Sequence, residues 1–217
     1  MVTSAELRSL EYAVVDVETT GGSATRGHRI TEVCAVCLDG NGRFIGEFKT
    51  LVNPFRPIPP SITRLTGISD AMTVDAPSFA EIAPDLRRWL EGRVFVAHNA
   101  GFDWRFVGWE MEGAIGLRIE APVLCTVRLA RRLVPEIRSR SLDALQYFFG
   151  VHNEARHRAY GDARATARVF RKLYFRLEDR AVFRWNELQQ LLDAPREERK
   201  KRRRTALPTS MEFIEGC

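Results

Sequence analysis

The sequence predicts an α/β fold in which a mixed sheet is flanked by helices, and three observations carry that prediction. Valine-rich strand segments open the chain, helix-period segments follow from residue 77 onward, and short apolar runs separate those helices. A meander of three strands followed by alternating helices and strands is the pattern of a layered α/β domain.

Taken in order, Tyr12 to Glu18 (YAVVDVE) is a strand of apolar residues interrupted by Asp16 and Glu18. Arg29 to Leu38 is a second strand, and Asp39-Gly40-Asn41-Gly42 is a turn signal leading to a third at Arg43 to Val52. Residues 53–60, NPFRPIPP, hold four prolines and cannot form a helix interior. Residues 61–71 read as a short helix and a loop. After Pro77 a helix places Phe79, Ile82, Leu86 and Leu90 on one face. Arg93 to Ala97 is a short strand, and a helix opening near Gly101 carries Phe102, Phe106 and Trp109 at helical spacing. Pro122 to Leu124 is a further strand, followed by a basic helix to about Val134. Ser141-Leu142-Asp143 starts a helix stopped by Gly150, and the last strong helix runs from Tyr160 to about Asp179.

The chain has 217 residues, 45% of them hydrophobic, enough for one sizeable core. The expected organisation is a folded domain over residues 1–180, then a helical extension and a basic flexible tail over 181–217. Residues 196–204, REERKKRRR, hold seven positive and two negative charges, a balance of +5 that equals the net charge of the whole chain. The body is therefore formally neutral and the tail is basic. The tail suits either a polyanion, through counterion release, or the role of an extended solvated linker. No apolar run approaches the length of a membrane span, and the first twelve residues lack the features of a signal peptide. The expected compartment is the cytoplasm. Cys34 and Cys37 form a CxxC, but three residues apart on a strand they point to opposite faces, and no second pair completes a zinc site. Both are read as core residues.

Asp16 and Glu18 are separated by two positions, so both project from the same strand face. Two adjacent carboxylates in a buried strand repel each other and resist desolvation unless a cation lies between them. Asp103, Asp162 and His157 extend the set. Alone, Asp103 and Asp162 also suit the first turn of a helix, where the dipole and free amides stabilise a carboxylate, and His157 suits a loop. Thr166, Val169 and Leu173 share the helical face of Asp162, however, which turns that aspartate towards the core. Oxygen ligands of this kind suit Mg²⁺ or Mn²⁺. Two such ions about 4 Å apart stabilise the attacking and leaving oxygens of phosphoryl displacement. A neutral histidine can deprotonate the attacking water.

The segments VVDVETTGG, AHNAGFDWRF and HRAYGDARATA resemble the three motifs of the DEDDh 3′–5′ exonucleases, most of all the epsilon proofreading subunit of DNA polymerase III and its stand-alone relatives. The spacer VNPFRPIPPSITRLTGIS and the run APSFAEIAPDLRRWL resemble that group too, and the likeness spans roughly residues 10–178. The resemblance implies an RNase H-like exonuclease fold with a five-stranded mixed sheet. It implies hydrolysis of DNA from the 3′ end to nucleoside 5′-monophosphates, in proofreading or repair. Asp16, Glu18, Asp103 and Asp162 would be the metal ligands for two divalent cations, Mg²⁺ or Mn²⁺, with Asp16 bridging them and His157 the general base. The sister group has a tyrosine four residues before its last aspartate; that position here is Arg158.

Thr19 and Thr20 are candidate donors to the terminal nucleotide. Thr66 stands where the epsilon subunit often has a histidine. Asn99 is a candidate for ordering the loop before Asp103, and Phe102 for stacking on a base, with core packing as its alternative. Expected partners are single-stranded or frayed DNA ends, or RNA, and a polymerase or repair partner reached through the C-terminal tail, with no membrane. RNA 3′-end trimming and a catalytically inactive nucleic-acid adaptor are the alternative functions.

Overall fold

The computed structural model describes residues 3–194. Five strands form one mixed sheet in the order β3-β2-β1-β4-β5. They are β1 (Tyr12–Thr19), β2 (Ile30–Leu38), β3 (Phe44–Leu51), β4 (Val94–Ala97) and β5 (Val123–Cys125). β1 to β3 pair antiparallel, while β4 joins β1, and β5 joins β4, in parallel. This is the five-stranded mixed sheet expected from the sequence. The long β1 and β2 are almost wholly buried because both faces are covered by helices, which is why they read as near-continuous apolar runs. β3 lies at the sheet edge and is mostly half-buried or exposed.

The alternation of side chains divides the core in two. Tyr12 and Val14 of β1 face a cluster with α5 (Thr126–Leu133), α6 (Leu142–Phe149), α7 (Ala159–Glu178) and α8 (Trp185–Asp193). Ala13, Val15 and Val17 face α3 (Phe79–Leu90) and α4 (Gly101–Ile115). Cys34 belongs to the first cluster and Cys37 to the second, on opposite sheet faces as the spacing required. Burial pushes their thiols up to about 12 and about 11, so both are poor thiolates at neutral pH. α1 (Pro60–Thr66) and α2 (Asp70–Thr73) come after the proline segment.

The helices α7 and α4 each carry an aspartate towards the sheet. Val169, Phe170, Leu173 and Leu177 of α7 are buried, each worth roughly 1.5–3 kcal/mol, which outweighs the cost of holding Asp162 half-buried at the head of the helix. In α4 the core-facing arc is Asp103, Phe106, Val107, Glu110 and Met111. Phe102 and Trp109 flank that arc. Phe102 packs against Phe106 with ring centroids 4.9 Å apart, whereas Trp109 is 51% exposed. The expected Phe102–Phe106–Trp109 stripe thus loses its third member, because the buried arc is centred about 100° away from it.

The fold continues in contact beyond α7. Leu7 N–H donates to the Phe183 carbonyl and Trp185 N–H to the Ala5 carbonyl, and Trp185, Leu188 and Leu192 join the first core cluster. The basic run at residues 196–204, and the tail expected to reach a partner, lie outside the described residues. Among the described residues no helix is long and apolar enough to cross a membrane.

Candidate active site

Asp16 and Glu18 lie near the carboxyl end of β1, on the face that looks towards α7. Each of Asp16, Glu18 and Asp162 offers a carboxylate oxygen, and these oxygens all lie within 4.8 Å of one another. The strand brings the first two together, and the buried stripe of α7 supplies the third.

Asp103 approaches from a different direction. The parallel pairing of β1 with β4 ends at Val14, so the Val17 amide has no strand partner on that side. Asp103, buried in the first turn of α4, accepts this amide through Oδ1 at 3.2 Å. It stands outside the three-carboxylate cluster but close enough for its charge to act on Asp16.

These groups hold their protons unusually tightly. Asp16 is raised well above the usual carboxylate range by burial and by Asp103, Glu18, Asp162 and Glu32. Burial and then Asp162, Glu32 and Asp103 push Glu18 up to about 8, against the opposing charge of Arg158. Burial lifts Asp103 to about 7, opposed by backbone donors. Asp162 is raised by burial, opposed by the hydrogen bonds from Asn153 and the His157 amide. Carboxylates so crowded are costly to ionise alone and would ionise readily around a cation. The donor set is all carboxylate oxygen, which fits a hard divalent ion.

His157 sits in the loop between α6 and α7, in a left-handed conformation (φ 59°) that is costly for a residue with a Cβ. Its amide donates to Asp162 Oδ2 at 3.1 Å, and Asn153 Nδ2 donates to Asp162 Oδ1 at 2.6 Å. The loop thus orients both oxygens of Asp162.

The threonine and asparagine candidates are tied to neighbouring backbone. Thr19 Oγ1 donates to the Gly21 carbonyl, and Thr20 Oγ1 accepts the Arg29 amide, so both buried hydroxyls shape the loop after β1. The Thr66 hydroxyl donates to the Ile62 carbonyl and accepts the Ile68 amide. Exposed Asn99 adopts φ 66° and its carbonyl accepts the Phe102 amide, which starts α4. His98 is pushed down to about 4 by burial and bonds Thr126 Oγ1 at 2.9 Å, which gives it a structural place.

Sequence reasoning missed Glu32, Arg158, Asn153 and Gly161. Glu32 lies opposite Glu18 in the β1–β2 register. A glutamate inside the apolar run ITEVCAVCL is itself a signal, because a charge in a doubly covered strand needs a partner.

Comparison with known proteins identifies the family. Residues 13–170 match the family model described as Exonuclease (RNase_T). The chain is 42% identical over 179 residues to a DNA polymerase III subunit epsilon-like protein of Rhodobacter capsulatus, covering 81% of this chain and 25% of that one. It is 38% identical over 182 residues to the PolC-type DNA polymerase III of Caldanaerobacter subterraneus, covering 84% and 13%. The chain spans less than a third of the length of the curated relatives it matches. Among solved structures, exonuclease X in complex with 5′ overhanging duplex DNA superposes with a TM-score of 0.65 at 25% identity, covering 84% of this chain and 99% of that one. Exonuclease I of E. coli in complex with a dT13 oligonucleotide shares the fold, with a TM-score of 0.68 at 17% identity, covering 79% and 42%.

Proposed function

The chain belongs to the exonuclease family, and on that premise we propose that it is a metal-dependent 3′–5′ exonuclease that hydrolyses DNA from the 3′ end to nucleoside 5′-monophosphates, in proofreading or repair. The observation that carries this reading is the convergence of Asp16, Glu18 and Asp162 within 4.8 Å, with Asp103 bonded to the same strand. Asp16, Glu18, Asp103 and Asp162 would hold two divalent cations, Mg²⁺ or Mn²⁺. Such ions supply charge stabilisation at the attacking and leaving oxygens.

The chain's own residues do the rest. His157 takes a proton from the attacking water as its oxygen bonds to phosphorus and the bond to the departing 3′ oxygen breaks. Asn153 and the His157 amide fix the plane of Asp162. Thr19 and Thr20 act by shaping the loop after β1, where the terminal nucleotide would lie, and Thr66 by fixing the turn after α1. Asn99 starts the helix that carries Asp103, and Phe102 offers a half-buried ring beside it. DNA is favoured as substrate by the polymerase-related relatives and the DNA-bound structural neighbours. A polymerase or repair partner is proposed for the basic tail.

The test is degradation of 5′-labelled single-stranded DNA, mismatched-end duplex and RNA of matched sequence, each with Mg²⁺, Mn²⁺ or chelator. The expected result is a metal-dependent ladder from the 3′ end, strongest on DNA. It should be abolished by Asp16→Ala and slowed about 10²–10⁴-fold by His157→Ala. A ladder strongest on RNA reassigns the substrate, and no ladder on any substrate refutes the enzyme reading.

A further inference from the structure

We propose that Glu32 and Arg158 are positioning residues that hold His157 in its working conformation; the inference rests on the exonuclease reading above. Glu32 is only 5% exposed, yet its carboxylate is fully engaged. Arg158 Nε and Nη2 donate to its two oxygens at 3.0 and 2.8 Å, and the Ala159 amide donates to Oε2 at 2.8 Å. The carboxylate therefore grips the two residues directly after His157, from the strand position opposite Glu18.

A buried ion pair of this kind adds little net stability, because desolvation offsets most of the Coulomb attraction. Its evident effect is geometric. His157 occupies a left-handed backbone conformation, which is strained for a residue with a Cβ and persists only when its surroundings over-determine it. Three contacts do so. The Glu32 grip fixes the chain after His157, and the His157 amide is tied to Asp162. The third is close packing before it: a Cβ on Gly161 would lie 2.0 Å from the Ala155 carbonyl oxygen, so the loop rests on α7 backbone that only glycine leaves free. Arg158 thus ties the loop, one residue after His157, to the strand that neighbours the acidic pair.

The test is a mutant cycle of Arg158→Ala, Arg158→Lys and Glu32→Gln, each in the wild-type and His157→Ala backgrounds. Readouts are kcat, KM, Mn²⁺ affinity by titration and thermal stability. A misplaced group of this kind costs up to about 100-fold, so Arg158→Ala and Glu32→Gln should each lower kcat about 10- to 100-fold, with KM within about twofold and Mn²⁺ affinity changed only severalfold, because both charges also act on Glu18. Arg158→Lys should recover part of the loss. In the His157→Ala background the same substitutions should change kcat by less than about twofold, since there is no base left to position. Glu32→Gln keeps the side-chain volume and carries the test if Arg158→Ala fails to fold. A full loss that persists in the His157→Ala background, or a parallel loss of Mn²⁺ affinity, overturns the proposal. Unaltered kcat in the variants overturns it alone when wild-type cleavage is abolished by Asp16→Ala. Absence of cleavage by the wild type overturns the exonuclease reading together with it.

Discussion

Raising the pH above neutrality should destabilise the metal-free protein, and the carboxylate cluster sets the size of the effect. Glu18 stands at about 8 against an ordinary 4.5, and Asp103 at about 7 against 3.8. A folded-state pKa raised above the unfolded value means the folded state keeps its proton longer. The associated stability is present at low pH and lost as pH rises through the folded pKa. Between pH 7 and pH 8.5 these two groups together lose about 2 kcal/mol. Asp16 and Asp162 are raised as well, so they act in the same direction and add to the loss. Glu47, Glu81, Glu136 and Glu187 are lowered and have given their contribution at more acid pH, and His98, at about 4, has finished titrating in the folded state. The assay is urea unfolding of chelator-treated protein across this window. With an m-value of about 2 kcal/mol/M, the midpoint should fall by about 1 M. Glu18→Gln and Asp16→Asn should flatten the slope and raise stability at pH 8.5. Adding Mn²⁺ to the wild type should cancel the loss, by about 2.7 kcal/mol at a hundredfold excess over Kd. Metal-free stability that is level or rising from pH 7 to 8.5, or a slope unchanged in both variants, would refute the reasoning.

Gly161→Ala drives a methyl into the Ala155 carbonyl and should cost about 1–3 kcal/mol, read as a lowered melting temperature together with slower cleavage. Deletion of residues 195–217 should leave turnover of short oligonucleotides intact while weakening the salt dependence of binding to long DNA, measured by anisotropy at several salt concentrations. Equal salt slopes with and without the tail would contradict a polyanion role for it.

Much of the site was legible because its signals are local. The Asp16–Glu18 pair needs only the two-residue period of a strand, and Asp162 only the helical stripe through Thr166, Val169 and Leu173, all three of which are buried. The fold class came from the same periodicities. What escaped notice depends on register and on distant packing. The Asp39–Gly42 turn fixes how β2 meets β3, but nothing so short joins β1 to β2. The pairing of Glu18 with Glu32, and with it the tie from Glu32 to Arg158, was therefore not readable. Trp109 was misplaced for a simpler reason. Spacing gives the relative angles of side chains on a helix, but not which angle faces the core.

The bond between Val17 and Asp103 makes one backbone amide a reporter on the site. Its proton points at a carboxylate whose charge changes near neutral pH. The chemical shift of that amide therefore tracks the ionisation of Asp103, and so does its protection from solvent exchange. Spectroscopy on the unaltered chain can read the charge state of a candidate ligand from a residue that takes no part in the chemistry.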